Sequence, residues 1–265
     1  MSFKALVYGD TGTGKTVSAA TLLLAGQKVR FLAAENNAIS GIKAGVPIWK
    51  AEKVADNLAI MVPDRPKMDI NKLLKIQEKF IVTPIETQMK SVDPNRKDYT
   101  RYVSVLKGLA EFKSESGENL GTIDQWEDDT TLVVDGLTII CEAIRQAVIG
   151  GKLATSQPEW GVMQSQLMAL IRLLTEDTRC NVVLLAHPCK EADQILGTQR
   201  IYPANLGQAL NSLIPTCFTD VIWAERKGKK FVWVTDHRQA VTRTSHLPIS
   251  EELPQDYRQF TCFAN

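Results

Sequence analysis

Short apolar runs rich in β-branched residues recur along the chain, and most lead into segments whose apolar positions return every three or four residues. Runs of the first kind read as strands buried on both faces, and segments of the second kind as helices with one face on a core. Strands are expected at KALVYG (4–9), QKVRFLAAENNA (27–38), LAIMVPDRP (58–66), DTTLVVDGLT (129–138) and CNVVLLAHP (180–188). Helices are expected at 15–26, closed by Gly26, at 69–82, within YTRYVSVLKGLAEFK, at 139–150 and at 162–177. Further on, FTDVIWAERKG and KKFVWVTDH predict a hairpin turning at Gly228. This alternation predicts one α/β domain over 1–265. It has a mostly parallel central sheet, helices on both faces and a C-terminal antiparallel hairpin.

Three stretches lack such a pattern. Residues 83–128 are polar and charged, and read as an insertion or as solvated loops around one helix. Residues 151–161 and 189–213 read as loops, the second long and carrying Gly197 and Gly207. Long loops in compact domains are usually functional or disordered.

The most specific signal is GDTGTGKT, Gly9 to Thr16, between the first strand and the first helix. It fits G-x-x-x-x-G-K-[ST] at every fixed position. Glycines at 9, 12 and 14 permit backbone angles that turn successive N–H groups inward, and those groups with the helix start cradle phosphates. The nucleotide-binding set is Gly9, Asp10, Thr11, Gly12, Thr13, Gly14, Lys15, Thr16 and Val17. Lys15 reaches the β- and γ-phosphates, and the Thr16 hydroxyl ligates Mg²⁺. ATP and Mg²⁺ are the expected cofactors.

In such sheets ligands gather at the carboxyl ends of the strands. Glu35 follows the second strand, where a carboxylate can orient or deprotonate an attacking water, or else cap a turn. Asp135 ends the strand at 129–138 and is placed to hold Mg²⁺ through water. His187 ends the strand at 180–188, where it can sense the γ-phosphate or simply bond a carbonyl.

Composition narrows the partners. The chain has 265 residues, 31 of them basic and 30 acidic, so any polyanion must meet a local patch. Arg226, Lys227, Lys229, Lys230, Arg238 and Arg243 form such a patch against Asp236 alone. Five cysteines with no C-x-x-C pair argue against a disulfide framework or zinc ribbon. With no leader-like segment or spanning apolar run, they point to the cytoplasm, the host's if the chain is viral, and to no membrane.

Taken together, the P-loop, FLAAEN, LVVDGLT, GGKLATSQPEWG and NVVLLAH resemble the ATPase core of RecA-type recombinases. More closely they resemble core-only RecA-like phage ATPases of the AAA_24 type, associated with single-strand annealing and recombination. The resemblance covers most of 3–245 and is weakest over 50–128. It implies a RecA-like P-loop NTPase core with Lys15 and Thr16 on phosphate and Mg²⁺, Glu35 on water, Asp135 on the metal and His187 in place of a glutamine switch. It places two DNA-binding loops at 150–161 and 188–206, offering Lys152, Trp160, Lys190 and Arg200 to single-stranded DNA. Trp160 is alternatively a plug under the next helix. Arg243 stands where a basic residue reaches a neighbour's nucleotide, which implies a homo-oligomer. Only eight residues precede Gly9, so a ring or another assembly surface is expected beside the filament. A single-strand-binding protein is a further expected partner. A helicase core or loader, a small-molecule kinase and a nucleotide-gated scaffold are the competing readings.

Overall fold

The computed structural model describes residues 2–35, 37–44, 55–64, 69–82, 99–150, 152, 154–192 and 199–263. Its centre is an eight-stranded sheet in the order β10-β9-β8-β1-β5-β4-β2-β3. The strands are β1 (Lys4–Tyr8), β2 (Lys28–Ala33), β3 (Leu58–Met61), β4 (Thr130–Asp135), β5 (Asn181–Ala186), β8 (Asp220–Lys227), β9 (Lys230–Val234) and β10 (Leu253–Pro254). From β8 across to β3 all pairs are parallel, while β8–β9 and β9–β10 are antiparallel. Every residue of β1, β4 and β5 is buried, as expected of parallel strands covered on both faces. Because β5 separates β1 from β4, the carboxyl ends of β1, β5, β4 and β2 line one edge.

Two cores flank the sheet. One packs Leu6, Tyr8, Leu132, Val134 and Leu184 under α5 (Arg101–Ala110), α6 (Leu137–Ile149) and α7 (Gln157–Thr175). The other packs Val7, Phe31, Val133 and Val183 under α1 (Lys15–Ser18), α2 (Thr21–Leu24) and α3 (Ala38–Lys43). The C-terminal segment closes this second core, with Phe260 4.9 Å from Phe3 and Tyr257 4.7 Å from Trp233 between ring centroids. A further helix, α4 (Ile70–Val82), lies where the amphipathic pattern puts it.

Several boundaries differ from the expected ones. The helix expected at 15–26 is two short pieces, joined at Ala19 and Ala20, which keep right-handed helical angles. Bonds at the joint span three residues, Ala20 N–H to Val17 O and Leu22 N–H to Ala19 O, so the helix tightens there. It closes at Gly26 with φ +79°. α7 begins at Gln157, not 162, because Ser156 and Glu159 form a reciprocal capping box and Pro158 sits in the first turn. Trp160 is therefore a helix residue.

The described part of 189–213, residues 189–192 and 199–213, is more than a loop. β6 (Pro188–Ala192) and β7 (Gln199–Pro203) form a separate antiparallel ribbon rising directly from the end of β5, followed by the short α8 (Leu213–Thr216). Its foot is tied down: Ala204 N–H donates to His187 O at 2.7 Å, and the Tyr8 hydroxyl donates to Val241 O at 2.7 Å and Ile201 O at 3.2 Å.

In the described part of 83–128, residues 99–128, the charged residues from Glu111 to Asp128 are exposed, as expected, but the loop that carries them is anchored by buried aromatics. Phe112 N–H donates to Gly121 O and Leu120 N–H to Phe112 O, folding the chain back on itself. Phe112 and Trp126 pack edge to face at 5.5 Å within the main core, and the Trp126 indole N–H donates to Leu120 O. Residues 83–98 of the expected insertion lie outside the described residues.

Phe112→Ala is expected to lower unfolding free energy by roughly 3–5 kcal/mol, as for a large aromatic removed from a core. Urea denaturation of the variant checks this; a solvated insertion would give a change within about 0.5 kcal/mol.

Candidate functional site

The P-loop leaves β1 at Tyr8 and turns at once. A Cβ at Gly9 would stand 2.1 Å from Ala224 O on β8, so only glycine lets the loop pass that close. Gly12 and Gly14 take φ +78° and +86°, in the left-handed region that glycine enters without strain. Lys15 is buried, with its ammonium donating to Gly9 O at 2.6 Å and Asp10 O at 2.8 Å. Burial lowers its pKa, against the nearby charges of Asp135, Glu35 and Asp10. Thr13 Oγ1 donates to Asp10 O, and Ser18 N–H to Gly14 O, which fixes the loop's two ends.

The strand ends converge on this loop. Thr16 Oγ1 donates to Asp135 Oδ2 at 2.6 Å, joining the first turn of α1 to the end of β4. The Asp135 carbonyl accepts from Ala34 N–H at 2.9 Å and Glu35 N–H at 3.1 Å, which holds Glu35 beside it. His187 Nε2 lies 2.9 Å from Glu35 Oε1. The partner is a carboxylate, so this nitrogen carries the proton.

Three neighbours of the site were not legible as site residues. Gly136 has φ +119°, and a Cβ there would lie 2.7 Å from Glu35 Cγ, so glycine gives the glutamate its room. Gly41 on α3 faces Thr16; a Cβ would meet Thr16 Cγ2 at 2.6 Å. Arg101, at the start of α5, donates to Ala34 O and braces the turn that carries Glu35. A glycine directly after Asp135 was the available hint; nothing local marks Gly41 or Arg101.

The AAA_24 family model, an AAA domain, matches residues 1–247. The chain belongs to this family. It is an AAA-type P-loop ATPase domain. The sequence has no match among curated proteins. Among solved structures it is similar to the ATP synthase subunit NeqB from Nanoarcheaum equitans, at 12% identity and a TM-score of 0.41, over 84% of this chain and 45% of that one. It is also similar to the pCW3 conjugation coupling protein TcpA in its monomer form with ATPγS, at 15% identity and a TM-score of 0.31, over 85% and 49%. The chain spans about half the length of each.

The remaining expected residues lie outside this cluster. Arg243 pairs with Val221 near the start of β8, towards the sheet edge opposite the P-loop, so it has no place in this AAA domain's own site. Lys152 bonds Glu159 at 2.9 Å, within the cap of α7. The Trp160 ring packs on the main core. Lys190 and Arg200 are both exposed, but Lys190 pairs with Ile201 and Arg200 with Glu191, which places them on opposite faces of the ribbon. No helix among the described residues is long and apolar enough to cross a membrane.

The donor set fits a Mg²⁺–nucleotide. Among the described residues no group of three or more His, Cys, Asp or Glu side chains could hold a metal. Thr16 and Asp135 nevertheless touch beside the anion cradle, the arrangement in which substrate phosphates complete the coordination. Burial raises the Asp135 carboxyl to about 6, helped by the charge of Glu35 and opposed by Thr16 and Lys15. Its ordinary value is 3.8, so the fold holds an extra proton between the two. That contribution to stability is complete below about pH 4 and is lost as pH rises through about 6.

Asp135→Asn is therefore expected to be more stable than wild type at pH 7.5, by an amount that shrinks towards pH 4. Mg²⁺ with ADP should raise the wild-type melting temperature more than the variant's. Thermal melts across pH check both; a difference independent of pH would remove the buried-carboxylate account.

Proposed function

We propose that the chain hydrolyses ATP and uses its nucleotide state to control single-stranded DNA binding in strand annealing, as part of a homo-oligomeric ring or filament. The observation that carries this reading is the convergence of Lys15, Thr16, Asp135, Glu35 and His187 at the carboxyl edge of neighbouring strands. Mg²⁺, when bound, supplies positive charge to the phosphate oxygens. The P-loop N–H groups hold those oxygens, and the Lys15 ammonium shifts from the Gly9 and Asp10 carbonyls to meet them. Thr16 and Asp135 orient the triphosphate's outer end. Glu35, steadied by Asp135 O and Arg101, accepts the proton of the attacking water. His187 contacts Glu35 through its ring and the β6–β7 ribbon through its carbonyl. Nucleotide state at Glu35 is thereby felt at the ribbon, where the exposed Lys190 on one face or Arg200 on the other would meet DNA backbone. Arg243 from a neighbour, and a single-strand-binding protein as a partner, belong to the same reading.

The test is ATP turnover with and without single-stranded DNA, on wild type and Glu35→Gln, together with annealing of complementary oligonucleotides. DNA is expected to stimulate the wild type. Glu35→Gln should lower turnover by about a hundredfold or more with nucleotide binding kept. An unchanged rate in the variant removes Glu35 from the chemistry. Absence of a DNA effect removes DNA control, and unwinding in place of annealing makes the chain a motor.

A further inference from the structure

Beside the P-loop lies a cavity of about 310 Å³ that hydrolysis, as described above, does not use. Its walls include Gly14, Val17, Thr21, Leu24, Phe231 and Gln255. Thr16 faces Asp135 and α3, whereas Val17, about 100° further round the helix, faces the cavity. The cradle thus has two ends. The chemistry sits at the Thr16 end, and the other end opens into this cavity.

The walls are specific. Phe231 is 45% exposed, and its ring edge would lie 3.1 Å from a Cβ at Gly14. The Arg226 guanidinium sits over that ring, 5.6 Å from its centroid. Gln255, just past β10, donates its amide to Thr13 O at 2.8 Å and Val232 O at 3.0 Å. Both partners are carbonyls, so the amide nitrogen faces them and Oε1 points towards Gly14, 2.7 Å from where a Cβ would stand. The result is a mainly apolar slot with a placed acceptor, at the small end of ligand pockets. Gln255 lies beyond residue 247, where the family match ends.

We propose that this cavity receives the nucleobase of the bound nucleotide, its ring against Phe231 and an exocyclic amine of the adenine kind donating to Gln255 Oε1. The inference rests on the P-loop holding the phosphates and adds base selectivity to that reading. A 6-oxo base, as in inosine nucleotides, sets acceptor against acceptor at Gln255 and binds more weakly.

Calorimetry on the full chain tests it, with ADP, IDP and inorganic tripolyphosphate as ligands. Phe231→Ala should weaken ADP about tenfold and leave tripolyphosphate unchanged, with Phe231→Tyr restoring ADP binding. Wild type should favour ADP over IDP by about tenfold, and Gln255→Leu should erase that preference. Equal loss of ADP and tripolyphosphate in Phe231→Ala overturns the assignment, since the residue then acts through the loop; no loss of either overturns it too. A wild type that binds all three ligands alike removes the base slot and keeps the phosphate cradle. A wild type that binds none removes the cradle itself.

Discussion

The hydrogen bond from Thr16 to Asp135 is the constraint on which the site depends. It joins the helix after β1 to the end of β4, two strands that do not pair with each other but lie on either side of β5. The contact requires a fixed register, with Asp135 opposite Leu185 on one side and Ala33 on the other. A slip of one residue would turn the carboxylate to the other face of the sheet. The same register brings Glu35 to the Asp135 carbonyl and leaves His187 one residue past Ala186. Close approach at the joint is possible because glycines at 41 and 136 leave out a side chain where one would collide.

The phosphate loop and the strand-end acids were legible because their signals are local. A short apolar run, a glycine cluster and a terminal carboxylate each say where the chain must stop and what it offers there. The β6–β7 ribbon was not legible, because its strands are partly exposed on both faces and PCKEA shows no alternation. The start of α7 was hidden by Pro158, which reads as a break although the first turn of a helix accepts proline. The buried Phe112 and Trp126 sit among charged residues, and what buries them is a fold-back that no short window contains. Arg101 and Gln255 act across about 67 and 242 residues of sequence, beyond any reading of spacing.

Charge counting was the weakest guide. Lys227 and Lys230 bond Glu251 O and the Glu252 carboxylate, Arg226 covers Phe231, and Lys152 is part of a helix cap. The basic run from 226 to 243 is split in space as well. Its first members stand at the hairpin turn and Arg243 beside the start of β8. Residues that look like one patch in sequence are separate surfaces with separate partners.

The Tyr8 hydroxyl gives the ribbon a mechanical character. Tyr8 is the last residue of the phosphate-loop strand, wholly buried, and its hydroxyl bonds Ile201 O on the ribbon's return strand and Val241 O on the segment beside it. Backbone bonds between Ile201 and both Gln239 and Val241 add a second clamp. The base of the ribbon is therefore fastened twice, to the strand that carries the phosphate loop and to the segment after β9, so any displacement of β1 bears directly on Ile201.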